Sequence, residues 1–336
     1  MSDGVLVGRS TSFTVSAIAA GILCASMWMS VVLSPAFLIP LQIAFGKLGR
    51  RGGIAAIGSA LLALVLGFMV QSFSFKEGLA LFSVLSALPA PLALIAVLFI
   101  LNTALFSSWA PVSRILALAA ILSVAAAPFV AGIFANAGLR SSLAASVSHL
   151  VEGFMKGVDL GEQGYDSAAL LASLDPASMV ASSFEFFASG FAALVFAFLG
   201  MSWWIGNRLS GPDSTGRRAT GLLSETRIPA WYVWPFLASG AMLLLSLRFD
   251  AGTLARSIAW NLVLIFSCAY LAQGLGIVAH FLARWKVPNF LRIVTLAMAT
   301  LSALTSPLGL AFAAILTLLG VTELWIPYRN AKGVGA

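Results

Sequence analysis

Polar side chains inside otherwise apolar stretches are the residues of this sequence that could do chemistry. They are Gln42, Asn102, Asn261, Gln273 and Glu323, together with Glu185 near the predicted outer end of its run. A polar group is costly in hydrocarbon, so such residues usually face the interior of a helical bundle or a cavity. Each one alone is more typical of a hydrogen bond between helices than of a ligand contact. The chemistry that they indicate is hydrogen bonding, either between helices or to a bound molecule.

Four residues are the candidates for ligand binding. Gln273 and Gly274 form the most suggestive pair, because they lie in the middle of an apolar run. The missing Cβ of a glycine lets a ligand or another backbone approach closely. Asn261 and Gln42 are the other two candidates, since each places an amide within an apolar run.

The last apolar run ends in a group of polar and aromatic residues. Glu323 is followed by Trp325 and Arg329. Tryptophan is enriched where a membrane meets water. We therefore predict that these three residues anchor the end of the helix at the membrane interface, with Glu323 paired to Arg329.

Small residues form a stripe on the first apolar run. Ala17, Gly21 and Ala25 recur at a spacing of four, which places them on one face of a helix. Such a face allows another helix to approach closely. The spacing is compatible with packing inside this protein and, alternatively, with docking against the helices of a partner.

The sequence carries no constellation typical of catalysis. Its two histidines, His149 and His280, and its two cysteines, Cys24 and Cys268, lack metal-ligand spacing, and neither an H-E-x-x-H motif nor a phosphate-binding loop occurs. We expect no enzymatic activity, no cofactor and no metal. The net charge of +7 does not indicate nucleic acid, because the basic residues lie in short segments between apolar runs.

The composition predicts a membrane protein. Hydrophobic residues make up 60% of the 336 residues and charged residues 9%, whereas soluble domains have about 25% charged residues. The apolar runs are continuous, so they predict helices rather than the alternating strands of a barrel. At roughly 20 residues for each crossing, we predict an all-α, polytopic transmembrane bundle of about eight to ten spans. The runs are 12–30, 31–46, 53–72, 79–106, 112–135, 180–206, 233–248, 257–283, 291–305 and 308–326.

Two polar segments divide the predicted bundle. Residues 1–206 form an N-terminal transmembrane half, 207–232 a cytoplasmic connector and 233–336 a C-terminal transmembrane half. The first half includes a long outer loop, 138–178, in which apolar residues recur at helical spacing. This spacing predicts an amphipathic helix that lies on the outer surface or caps the bundle.

The distribution of charge predicts the orientation. If the N-terminus is cytoplasmic and all ten runs cross, both termini are cytoplasmic. The outer side then receives only Lys76, Arg140, Lys156, Arg248 and Arg256 of the basic residues. An excess of Lys and Arg on the cytoplasmic side is the usual bias of membrane proteins.

The C-terminal third resembles the YybS-like family of bacterial membrane proteins, whose function is not known. The resemblance rests on residues 270–278 (YLAQGLGIV), on the basic, proline-bearing segment 285–292 and on 320–329 (GVTELWIPYR). The glycine-rich segment 46–53 is compatible with it. The resemblance implies a multi-pass protein of the bacterial cytoplasmic membrane. That family more often carries Asp where Glu323 stands.

The N-terminal pattern is more loosely similar to the substrate-binding subunits of energy-coupling-factor transporters. Those proteins have fewer spans, and they dock on a membrane coupling subunit through small residues of their first helix. The similarity implies a transport-related protein that depends on a partner ATPase, because the chain itself has no ATP-binding motif. The alternative is a structural or assembly factor that holds other proteins through 138–178 or 207–232. The lipid bilayer is the expected partner in either case.

Overall fold

The structure, a computed structural model, is an assembly of helices. It describes residues 3–30, 32–74, 88–103, 108–157, 176–211, 227–249, 252–288, 290–292, 294–295, 298 and 307–329. Within these ranges the regular elements are α-helices and two short 3-10 helices, Ser34–Ala36 and Ala230–Tyr232, with no strand. The α-helices are α1 Asp3–Met29, α2 Ile39–Ser74, α3 Pro89–Leu101, α4 Pro111–Ala135, α5 Ala137–Gly157, α6 Pro176–Ser210, α7 Val233–Arg248, α8 Gly252–Arg284 and α9 Pro307–Thr322.

Many of these helices are apolar enough to lie in a membrane. Five stretches among the described residues are also long enough to cross one: Ser34–Val70, Pro111–Phe129, Ala177–Ser210, Ala230–Arg248 and Leu254–Arg284. Shorter apolar helices are Phe13–Met29, Pro89–Leu101 and Leu308–Thr322. The predicted all-α, polytopic class is confirmed. The predicted run 291–305 and the first part of 79–106 lie largely outside the described residues.

A single glycine separates two helical segments within α2. Gly49 has φ 68° and ψ −170°, a backbone conformation that favours glycine. A Cβ on Gly53 would overlap the ring of Phe45, so the chain folds back on itself at this point. The glycine-rich segment 46–53 thus turns the chain sharply between the two predicted runs that flank it.

The small-residue stripe of α1 packs against the second segment of α2. Ala17 and Ala25 are buried, and a Cβ on Gly21 would overlap the carbonyl of Ala56 and the side chain of Ser59. Contact at this distance requires a glycine on one of the two helices. Because α2 covers the stripe, it offers no surface on which a partner's helix could dock.

Helices α6 and α8 run side by side in the same direction through the middle of the molecule. The hydroxyl oxygens of Ser189 and Ser257 are 3.4 Å apart, and one turn later the Ala192 N–H donates to Asn261 Oδ1 at 2.8 Å. Both helices therefore finish at the same end of the bundle, with Arg208 on α6 and Arg284 on α8. The turn at Gly49 lies at this end too, because Ser210 Oγ is 3.4 Å from the Ile43 carbonyl oxygen. We call it the basic end.

The two predicted polar segments are only partly described. Helix α5 occupies the first half of the predicted outer loop and packs against α6, while residues 158–175 of that loop lie outside the described residues. Helix α6 continues to Ser210, so the first residues of the predicted connector 207–232 are helical. Residues 212–226 of the connector also lie outside the described part of the chain.

Candidate functional site

A buried ion pair lies just beyond the end of α9. Arg329 Nε donates to Glu323 Oε1 at 2.6 Å, and a second bond joins Arg329 Nη2 to Glu323 Oε2. The side chains of Arg329 and Glu323 are only 3% and 7% exposed. The pairing follows the prediction, but the pair is buried rather than anchored at a surface. Trp325 does face outward, with 67% of its surface exposed.

Gln273 connects this ion pair to two other parts of the chain. Its Oε1 accepts the Ile228 N–H at 2.8 Å, while its Nε2 donates to the Gly320 carbonyl at 3.0 Å and to Glu323 Oε2 at 3.0 Å. The amide therefore joins α8, α9 and the segment that leads into α7. The predicted ligand-binding amide is bonded within the protein, in a group that we call the charged network: Gln273, Glu323 and Arg329.

Two glycines bring α8 and α9 into backbone contact beside the charged network. A Cβ on Gly274 would overlap the Leu316 carbonyl, and one on Gly320 would overlap the Tyr270 carbonyl. The close approach expected at Gly274 is therefore made to another backbone. It places the Gly320 carbonyl within reach of Gln273.

Tyr270 lies one turn before Gln273 and is fully buried. Its ring packs against Phe236, with the ring centres 5.3 Å apart. Its hydroxyl makes no hydrogen bond to the described residues. Buried hydroxyl groups are normally bonded, so this part of α8 holds an unused donor next to the charged network.

A second polar group lies in the N-terminal half, at the basic end. Gln42 Nε2 donates to Asn207 Oδ1 at 2.7 Å and to Asn102 Oδ1 at 3.2 Å, and Asn102 Nδ2 donates back to Gln42 Oε1 at 2.8 Å. We call these three residues the amide cluster. It joins α2, the end of α3 and α6 by neutral groups alone. Gln42, another ligand-binding candidate, is thus also bonded within the protein.

Asn207 is the member of the amide cluster that the sequence did not single out. It follows directly after the predicted apolar run 180–206 and is the first residue of the predicted connector 207–232. Its spacing of four from Trp203 was the available signal, because that spacing continues one face of α6. Gly206 makes the contact possible, since a Cβ there would lie 2.5 Å from the Cβ of Gln42.

Asn261 lies nearer the opposite end of the bundle, away from the other candidates. Its Nδ2 donates to the Ala188 carbonyl at 2.5 Å and to the Ser257 carbonyl at 2.9 Å, and its Oδ1 accepts the Ala192 N–H. Arg256 and Glu185 lie 3.8 Å apart near the same contact between α6 and α8. Asn261 therefore joins these two helices. The structure unites Gln273, Gly274, Glu323 and Arg329, and it separates them from Gln42 and Asn261.

The fold and these buried polar groups define a polytopic helical membrane protein. Residues 17–321 match the family described as "Predicted membrane protein (DUF2232)", and the chain belongs to that family. The match spans the amide cluster and Gln273 of the charged network, and it ends before Glu323 and Arg329. No curated protein and no solved structure matches the chain.

Proposed function

We propose that this chain is a transport-related protein of the bacterial cytoplasmic membrane. We also propose that the residues of the charged network take part directly in transport. The observation that carries the proposal is the buried pair of Glu323 and Arg329, whose side chains are 7% and 3% exposed. Ionisable groups inside membrane bundles are costly, and they commonly belong to substrate, ion or proton pathways.

A contribution to folding stability alone does not explain why the chain has a buried ion pair at this position. Removing two charges from water offsets much of their mutual attraction, and apolar replacements of buried pairs are often neutral or stabilising. The amide cluster joins three helices without any charge. The charges of Glu323 and Arg329 therefore point to a role beyond holding helices together.

The geometry supports a coupling role for the charged network. Gln273 bonds at once to Glu323, to the α9 backbone at Gly320 and to the α7 segment at Ile228. A proton on Glu323, or an anionic substrate that competes for Arg329, would weaken this connection. Such a change would let α9 and the start of α7 move relative to α8.

The proposal includes an orientation with both termini in the cytoplasm. Its support is the basic end, where Lys47, Arg50, Arg51, Arg208 and Arg284 gather, since Lys and Arg favour the cytoplasmic side. Energy for active transport would come from a partner ATPase. A coupling subunit would bind away from Gly21, whose face is covered by α2. No enzymatic reaction is part of the proposal.

Mass spectrometry of the full-length protein, extracted in mild detergent, tests the proposal. We expect the wild-type protein to retain a small molecule or a partner ATPase, and Glu323→Gln to retain much less. Glu185→Gln is the matched control, because Glu185 is an acid of an apolar helix whose side chain is 50% exposed. Wild-type protein that carries neither a small molecule nor an ATPase contradicts the proposal.

A second candidate function is a structural or assembly factor of the membrane. It is favoured by the amides of Gln42, Asn261 and Gln273, which all bond to other groups of the protein. Deletion of much of 138–178 separates the two functions. Loss of a protein partner with retention of a bound small molecule favours the assembly factor, whereas the reverse result favours transport.

A further inference from the structure

We propose that Arg114, Trp203 and Asn207 form a binding site for a phosphate group at the basic end of the bundle. The first observation is the Trp203 indole, which is 9% exposed and whose Nε1 makes no hydrogen bond to the described residues. An indole N–H can only donate. A buried donor of this kind is expected to have an acceptor, and none of the described protein groups supplies it.

Arg114 adds a positive charge beside this indole. The centre of its guanidinium group lies 6.0 Å from the centre of the Trp203 ring, which is within the range of a cation–π interaction. Its Nε donates to the Trp109 carbonyl at 3.0 Å, and this bond fixes the guanidinium plane. The two terminal nitrogens make no hydrogen bond to the residues that the structure describes.

Asn207 supplies further donors one turn along α6 from Trp203. The Leu98 carbonyl can only accept, so it sets the orientation of the Asn102 amide, whose Nδ2 donates to it at 2.9 Å. The bonds between Asn102 and Gln42 then orient Gln42, and Gln42 Nε2 donates to Asn207 Oδ1. This sequence of bonds leaves the Nδ2 group of Asn207 on the far side of its amide, with no acceptor among the described residues.

The three side chains together offer donors and a positive charge, and their one acceptor, Asn207 Oδ1, is already bonded to Gln42. Glu185 and Glu323 pair with Arg256 and Arg329 elsewhere in the molecule. A phosphate group fits this arrangement, because several of its oxygens can accept at once and guanidinium groups bind it well. The ligand is either the headgroup of an anionic phospholipid or a free phosphate, and a basic end suits a negatively charged lipid surface.

Binding measurements on the full-length protein test the site. Native mass spectrometry measures retention of phosphatidylglycerol against phosphatidylcholine in one arm. The shift of thermal unfolding with inorganic phosphate, against chloride at equal ionic strength, is the other arm. Saturable binding of phosphatidylglycerol identifies a lipid headgroup, and saturable stabilisation by phosphate identifies a free anion. Absence of both overturns the proposal.

Matched variants assign the effect to these residues. Trp203→Phe keeps the ring and removes the N–H, and Arg114→Gln removes the charge; each should weaken binding by roughly tenfold or more. Trp204→Phe and Arg208→Gln change a neighbouring tryptophan and a neighbouring exposed arginine, and both should bind like the wild type. Unchanged binding by Trp203→Phe and Arg114→Gln, or an equal loss in the two control variants, overturns the proposal. Unfolding temperatures without ligand establish that all four variants are folded.

Discussion

The amide cluster and the charged network both join separate parts of the chain by hydrogen bonds, but they use different chemical groups. Each joins three parts of the chain through one glutamine, Gln42 or Gln273. The amide cluster uses only neutral groups, whereas the charged network adds a buried carboxylate and guanidinium. The amide cluster therefore connects its three helices without a charge. Under the proposed function, the added charge gives the C-terminal half a task beyond joining helices.

The glycines beside the two groups differ in what they contact. Gly274 and Gly320 face backbone carbonyls of the neighbouring helix, whereas Gly206 faces the side chain of Gln42. The Cβ of Gln42 is fixed by the α2 backbone, so neither contact can be relieved by a side-chain rotation alone. The overlap that a Cβ would make is deeper at Gly274 than at Gly206, so α8 and α9 form the closer of the two contacts.

Breaking the ion pair on one side should have the largest effect. Arg329→Met leaves Glu323 buried without its partner, and we expect a loss of about 3–5 kcal/mol in unfolding free energy. Thermal unfolding in mild detergent measures it. Arg208→Met, at an exposed position of the basic end, serves as the control and should change little. Equal losses of unfolding free energy in the two variants would show that the buried Glu323 carboxylate does not need its partner.

Alanine at the two kinds of glycine compares the helix contacts directly. Gly274→Ala must push α9 away from α8 and should cost about 1–3 kcal/mol. Gly206→Ala should cost less, because a Cβ there would overlap Gln42 less deeply than a Cβ on Gly274 overlaps the Leu316 carbonyl. Gly240→Ala is the control, since a Cβ there meets nothing within 4 Å. The comparison fails if Gly206→Ala lowers the unfolding temperature more than Gly274→Ala.

Removing the central amide of the neutral group should have the smallest effect. Gln42→Leu leaves Asn207 and Asn102 without their shared partner, and hydrogen bonds between membrane helices contribute only about 0.6 kcal/mol on average. A double-mutant cycle with Asn207→Leu measures the coupling. A coupling as large as the loss in Arg329→Met would remove the distinction between the two polar groups.

The sequence identified much of the fold but few of the contacts. Long apolar runs predicted helices because a chain in lipid must satisfy its own backbone hydrogen bonds. The pairing of Glu323 with Arg329 was predictable, since the residues are close in sequence. The burial of this pair was not predictable, because the hydropathy of a segment does not show which other segments pack against it. The partner of the Gly21 stripe, α2, was equally unpredictable, as small residues only permit a close contact.

Asn207 shows a second limit of reading the sequence. A run of apolar residues ends where polar residues begin, so the sequence predicts a boundary before Asn207 and a connector after it. Helix α6 in fact continues to Ser210 because its last turn packs against α2. Tertiary contact, which a single sequence does not display, decides where such a helix ends.

The most direct test of the central claim replaces the whole ion pair by apolar residues. The variant Glu323→Leu/Arg329→Met leaves no unpaired charge, so we predict that it stays folded, with an unfolding temperature close to that of the wild type. We also predict that it loses the small molecule or ATPase that co-purifies with the wild-type protein, as measured by mass spectrometry. A folded double variant that retains them in wild-type amounts would contradict the claim that the charged network exists for activity.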